Sequence, residues 1–164
     1  MPPGSEVDPL RIEAAARQDA AALALLSAAT LPDAWSERGF AAEIGAPQAR
    51  VWVARGPAGR PIGYLVAHVV CEEIQVLSLA VAADCRRRGI GQRLLEHALA
   101  QEPGAAIAHL EVRSNDAGAQ AFYDRLRFRA IGRRPGFYPG GVDAISLARV
   151  LRPLDAATDD HEGR

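Results

Sequence analysis

Apolar residues along this chain fall into short runs with two different spacings. Arg50–Arg55, Pro61–Val70 and Ile74–Val81 read as strands, and Pro61–Val70 is almost unbroken in its apolar character. Gly56–Pro57–Ala58–Gly59 is a turn that lets the first two pair as a hairpin. Ile107–Arg113 alternates apolar and polar positions, as a strand with two unlike faces does. Leu94, Leu95, Ala98 and Leu99 recur at helical spacing and predict a helix over Gly91–Gln101, stopped by Pro103–Gly104. Ala119, Phe122, Tyr123 and Leu126 form the stripe of a helix over Asp116–Leu126. Alanine-rich Ala15–Ala29 predicts an earlier helix, broken at Thr30–Pro32, and the Ser36 hydroxyl can cap a short helix running through Ile44. Strands at Leu10–Glu13, Phe128–Arg133 and Val142–Val150 complete the chain. The order β-α-α-β-β-β-α-β-α-β-β implies an α/β (α+β) domain with a mixed sheet and helices on both faces. There are no internal repeats. Residues 1–8 read as a flexible arm, 9–152 as one domain, and the polar, acidic segment 153–164 as a disordered tail.

Composition narrows the classes. A chain of 164 residues with 49% hydrophobic and 24% charged positions is long enough for one self-sufficient core. A net charge of −1 gives no sign of direct nucleic-acid binding. Cys71 and Cys85 make no disulfide framework, and no Cys/His spacing suits a metal; His68, His97, His109 and His161 are scattered. Met1–Asp8 lacks the apolar stretch of a secretory signal, and no run approaches membrane-spanning length, so a cytoplasmic protein without membrane attachment is expected.

The run Asp84–Cys85–Arg86–Arg87–Arg88–Gly89–Ile90–Gly91–Gln92 joins a predicted strand to a predicted helix. Backbone N–H groups in a first helical turn have no internal partner, and the helix dipole is positive there. Glycines at 89 and 91 let the backbone turn and approach a phosphate closely. The Lys-Ser/Thr of a Walker loop is missing, and Leu94 stands where the dinucleotide fingerprint needs its third glycine. An ordinary strand–helix turn with solvated arginines is the alternative.

The surviving pattern, Arg-x-x-Gly-x-Gly, resembles the acetyl-CoA pyrophosphate loop of the GNAT superfamily of N-acetyltransferases. Trp35–Ser36, Leu79–Ala80–Val81, Arg87–Arg88–Gly89–Ile90–Gly91–Gln92, Leu110–Glu111–Val112–Arg113, Phe122–Tyr123 and Phe137–Tyr138–Pro139 follow one another in the order and spacing of its RimI-type branch. The resemblance spans roughly Leu10–Leu151. It implies the GNAT fold, a mixed central sheet of about seven strands flanked by about four helices. It also implies transfer of an acetyl group from acetyl-CoA, with no metal, to the N-terminal α-amine of a protein. In that branch the acceptor is the N-terminal alanine of a small-subunit ribosomal protein.

Site roles follow from the resemblance. Glu111 matches the general base, although a cross-strand ion pair with an arginine also fits it. Tyr123 matches the general acid, and it belongs equally to the apolar stripe of its helix. Leu79, Ala80 and Val81 match a strand end whose free backbone groups hold the pantetheine. Arg87, Arg88, Gly89, Ile90, Gly91 and Gln92 match the pyrophosphate loop. Trp35, Glu72, Glu73 and Tyr138 fall in segments that flank the acceptor groove. An α-amine suits one carboxylate base, because deprotonation at pH 7 costs about 1.4 kcal/mol, against about 4.6 for a lysine. Lysine or small-amine acceptors, and a CoA-binding module without turnover, remain open on these residues.

Two positions depart from the family pattern. Asp116 replaces an asparagine that helps hold CoA; a carboxylate cannot donate, though it can cap the helix. Arg127 replaces a glycine after the helix, where a left-handed residue is expected at a cost of about 1 kcal/mol.

Overall fold

A computed structural model describes residues 10–153. The expected arm over 1–8 and, Pro153 apart, the expected tail lie outside the described residues. The elements are β1 (Arg11–Ala14), α1 (Ala20–Thr30), α2 (Glu37–Ile44), β2 (Ala49–Arg55), β3 (Pro61–Val70), β4 (Glu73–Val81), α3 (Ile90–Ala100), β5 (Ile107–Arg113), α4 (Ala117–Arg125), β6 (Arg129–Arg134) and β7 (Ala144–Val150). The strands form one sheet in the order β1-β2-β3-β4-β5-β7-β6. Every pairing is antiparallel except β4 with β5, the crossover through α3.

The mixed sheet and its flanking helices agree with the sequence pattern. The helix expected from Ala15 starts later, at Ala20. Ala16 is extended, and Arg17–Asp19 form a 3-10 turn closed by the Asp19 carboxylate, which accepts the Ala16 N–H at 2.7 Å. Asp19 also takes the Arg55 guanidinium through two bonds of 3.0 and 2.9 Å. That contact holds its carboxyl below the usual range and ties the turn to β2. Ser36 caps α2 as expected, accepting the Gly39 N–H at 3.0 Å.

The two faces of the sheet carry separate cores. Leu65, Ile74, Val76, Leu94, Leu95, Leu110 and Phe128 pack on the α3–α4 side, and Leu23, Phe40, Val53, Tyr64 and Val66 on the α1–α2 side. A bulge in β4 switches strand faces. Val66 pairs with Ser78 and Ala67 with Val76, which leaves Leu77 as the extra residue. Before it, Ile74 and Val76 face α3; after it, Ser78 and Ala80 face α1 and α2, because a one-residue slip exchanges the faces of a strand.

Candidate active site

Pairing between β4 and β5 runs only from Glu73–Val76 against Ile107–Leu110. Beyond it the strands part, while Ser78–Val81 continues to pair with β3. The inner edge of Leu77–Val81 therefore has backbone groups with no neighbouring strand to bond. A cavity of about 540 Å³ fills the gap. On the α1–α2 side its walls are Asp33 and Trp35 from the α1–α2 loop and Phe137, Tyr138 and Pro139 from the β6–β7 loop. On the other side they are Asp116, Ala119 and Tyr123. Leu79, Glu111 and Arg113 line it from the strand ends.

Glu111 sits opposite Ser146 of β7. The Ser146 hydroxyl donates to Glu111 Oε2 at 2.6 Å, and Arg134 Nη1 of β6 stands 3.7 Å from Oε1. Both sequence readings of this residue are thus present: a carboxylate on the cavity, and an ion pair across the sheet. Tyr123 is 8% exposed, and its ring meets Phe122 and Phe128 edge-on at 4.9 and 5.5 Å between centroids. Burial first, then Tyr138 and Asp116, push its phenol well above the usual value, so it stays protonated across the neutral range. Burial and the Glu111 charge raise Tyr138 as well. Asp116 caps α4, its Oδ1 accepting the Ala119 N–H at 2.9 Å.

A second cavity, of about 400 Å³, lies at the start of α3, with Phe122 of α4 in its wall. Val81, Arg87, Gly89, Ile90, Gly91 and Gln92 are in its wall. Arg87 (φ +64°) and Gly89 (φ +73°) are both left-handed, which turns successive N–H groups toward one concavity. The first helical bond runs from Arg93 N to Gly89 O at 3.0 Å, and Gly89 has no side chain to cap with. The N–H groups of Ile90, Gly91 and Gln92 are left for a ligand, as an anion cradle requires. At Gly91 a Cβ would meet the Phe122 ring at 3.4 Å, an ordinary contact that leaves room for a methyl but little more.

A model of the acetyltransferase (GNAT) family matches residues 20–128. The chain belongs to this family. It is 34% identical over 119 residues to the [ribosomal protein bS18]-alanine N-acetyltransferase of Escherichia coli K12, covering 70% of this chain and 79% of the relative. It is 30% identical over 152 residues to the N-alpha-acetyltransferase RimI of Mycobacterium tuberculosis, covering 88% and 95%. The crystal structure of the E. coli ribosomal-protein-S18-alanine N-acetyltransferase superposes with a TM-score of 0.81 at 28% identity, covering 89% of this chain and 96% of that one. The GNAT family acts with acetyl-CoA, and the cradle and open strand edge suit a long phosphorylated thioester.

Several expected site residues fall elsewhere. Glu72 and Glu73 line neither cavity; they sit at the opposite end of β4, where Glu72 pairs with Arg152 and Glu73 lies 3.5 Å from His109. The Ala80 side chain is buried in the α1–α2 core, which leaves only its backbone to a ligand. Arg88 is exposed and outside the cradle wall. Trp35 and Tyr138 line the first cavity.

The sequence pattern did not reveal the polar support beneath the groove. Tyr64 donates to Ser27 Oγ at 3.0 Å, which leaves Ser78 to donate to Tyr64 across 2.8 Å. Ser27 Oγ also accepts the Trp35 N–H at 2.9 Å. This buried chain connects the α1–α2 loop to β4 just past its bulge. Hydroxyls among apolar neighbours carry no periodic signal, so only the tertiary fold brings them together.

Proposed function

We propose that the chain transfers the acetyl group of acetyl-CoA to the α-amino group of a protein's N-terminal residue. Alanine is the expected first residue and a ribosomal protein the expected acceptor, in the cytoplasm. The observation that supports this best is the cavity through the β4–β5 gap. It has the loops of the α1–α2 side at one mouth, Glu111 within it and Tyr123 toward the cradle side.

In this reading the acceptor enters between the α1–α2 and β6–β7 loops. The cradle N–H groups at Ile90–Gln92 hold the pyrophosphate, and the open backbone edge at Leu77–Val81 orients the pantetheine arm and polarises the thioester carbonyl. Glu111 takes the proton that the amine gives up as the new C–N bond forms and the C–S bond breaks. Tyr123 gives a hydrogen bond to the departing sulfur. Its raised pKa makes full proton transfer to a thiolate uphill, since thiols sit near 8.5, so the phenol acts chiefly by stabilising the developing charge.

The test is release of CoA thiol from purified protein, acetyl-CoA and three acceptors: an alanine-initiated peptide, its N-terminally blocked twin with a free lysine, and a polyamine. Turnover on the first alone is expected. Turnover on the lysine peptide or the polyamine instead would discard the α-amine acceptor.

A further inference from the structure

Two loops wall the acceptor mouth, and one side chain touches both. Arg113, the last residue of β5, forms an ion pair with Asp33 of the α1–α2 loop. The same guanidinium lies over the Tyr138 ring of the β6–β7 loop, 4.4 Å from its centroid. All three residues line the cavity. The backbone beneath is pinned from α4: Gln120 Nε2 donates to the Arg113 and Ser114 carbonyls at 3.2 and 3.1 Å. Side chains two apart on a strand share a face, so Arg113 is the natural competitor for the Glu111 carboxylate. Asp33 and Tyr138 draw it aside, and the ion pair that Glu111 makes is with Arg134.

We propose that Arg113 is a positioning residue that latches the α1–α2 and β6–β7 loops together across the acceptor groove. Acceptor affinity then depends on it while acetyl-CoA affinity does not. This rests on the acceptor entering on the α1–α2 side, as proposed above. A half-exposed ion pair alone contributes little, but the stacked guanidinium adds a cation–π contact. Holding two loops in place also removes ordering entropy that each binding event would otherwise cost.

The experiment uses the full chain with Asp33→Asn, Arg113→Gln and the double variant, assayed with acetyl-CoA and the alanine-initiated peptide. Asp33 is on an exposed loop, so Asp33→Asn folds even where Arg113→Gln is impaired. Each single change is expected to raise the acceptor KM about tenfold with kcat and acetyl-CoA Kd within about twofold, and the double change to add nothing, because both break one contact set. In a Trp52→Phe background, Trp35 reports on the α1–α2 loop, and Asp33→Asn should expose it to a soluble quencher. An unchanged acceptor KM, additive losses, or an acetyl-CoA Kd that rises in step would overturn the latch. If the wild type turns over no peptide, the acceptor reading itself has failed. Quenching of Trp35 then decides the latch alone: unchanged by Asp33→Asn, it is overturned; increased, it stands.

Discussion

Along β4 the first half is hydrogen-bonded on both edges, to β3 and in parallel to Ile107–Leu110, while the second half is paired to β3 alone. The first half buries Ile74 and Val76 in the α3–α4 core and makes the strand rigid. The second half begins with the Leu77 bulge and leaves one backbone edge to the cavity. Unpaired backbone groups away from water are costly, so a bare inner edge persists in a fold only if a ligand or solvent satisfies it. The contrast teaches that stability and binding are divided within a single strand. The bulge marks the boundary.

The hardest test of that division is at Glu111, just past Leu110, where the pairing of β5 with β4 ends. If it serves the open half, Glu111→Gln lowers kcat/KM by about a hundredfold to a thousandfold while the melting temperature barely moves. If its part is only the cross-strand contacts with Ser146 and Arg134, the melting temperature falls and the rate per folded molecule holds. Thiol release and a thermal melt on the same preparation separate the two.

The paired half predicts the opposite signature. Ile74 is 1% exposed, and Ile74→Ala should cost about 3 kcal/mol of stability by leaving a cavity. Turnover per folded molecule should stay unchanged, measured by denaturant melts beside active-site-normalised rates. Leu79→Ala in the open half is the matched control. Its acetyl-CoA Kd should stay near wild type if, as proposed, the backbone there and not the side chain does the binding. A large loss of affinity in Leu79→Ala would break the comparison.

The sequence showed local features well and cross-chain features poorly. Strand and helix periods, the Ser36 and Asp116 caps and the glycine-bearing start of α3 depend on residues within a few positions of each other, so spacing reveals them. The Leu77 bulge leaves no mark in an apolar run. Ser146 meets Glu111 only through register across 35 residues, and Asp33 meets Arg113 across 80. Glu72 and Glu73 fitted a groove by family order, and the hairpin turn places them at the end of the strand away from both cavities. Gly91 was legible as a glycine position, but the ring of Phe122 packed against it was not.

That packing gives a finer probe of the cradle. Gly91→Ala places a methyl 3.4 Å from Phe122, an ordinary contact, and should leave acetyl-CoA Kd within about twofold. Gly91→Val adds branches that must displace Phe122, which lines the second cavity. A Kd about tenfold weaker is expected by equilibrium binding, in line with overpacking costs of 1 kcal/mol or more. Equal affinity for the two variants would remove the cradle from the open half's side of the comparison.

The smallest effect is expected where α4 ends, behind Tyr123. Arg127 has φ +67°, and the chain closes there in a Schellman motif: Phe128 N–H reaches Tyr123 O at 3.0 Å and Arg127 N–H reaches Asp124 O at 3.0 Å. The apolar contact that accompanies such motifs is the Tyr123–Phe128 ring pair. An arginine in the left-handed region is strained by about 1 kcal/mol, and glycine is not, so Arg127→Gly should raise stability by roughly that amount in a denaturant melt. The motif is held by backbone bonds and by Phe128, which the substitution leaves in place, so Tyr123 keeps its position and kcat stays level. A gain in stability with unchanged kcat would show that the support behind Tyr123 is separable from the chemistry. A fall in kcat would mean that the strained turn itself sets where the Tyr123 hydroxyl stands.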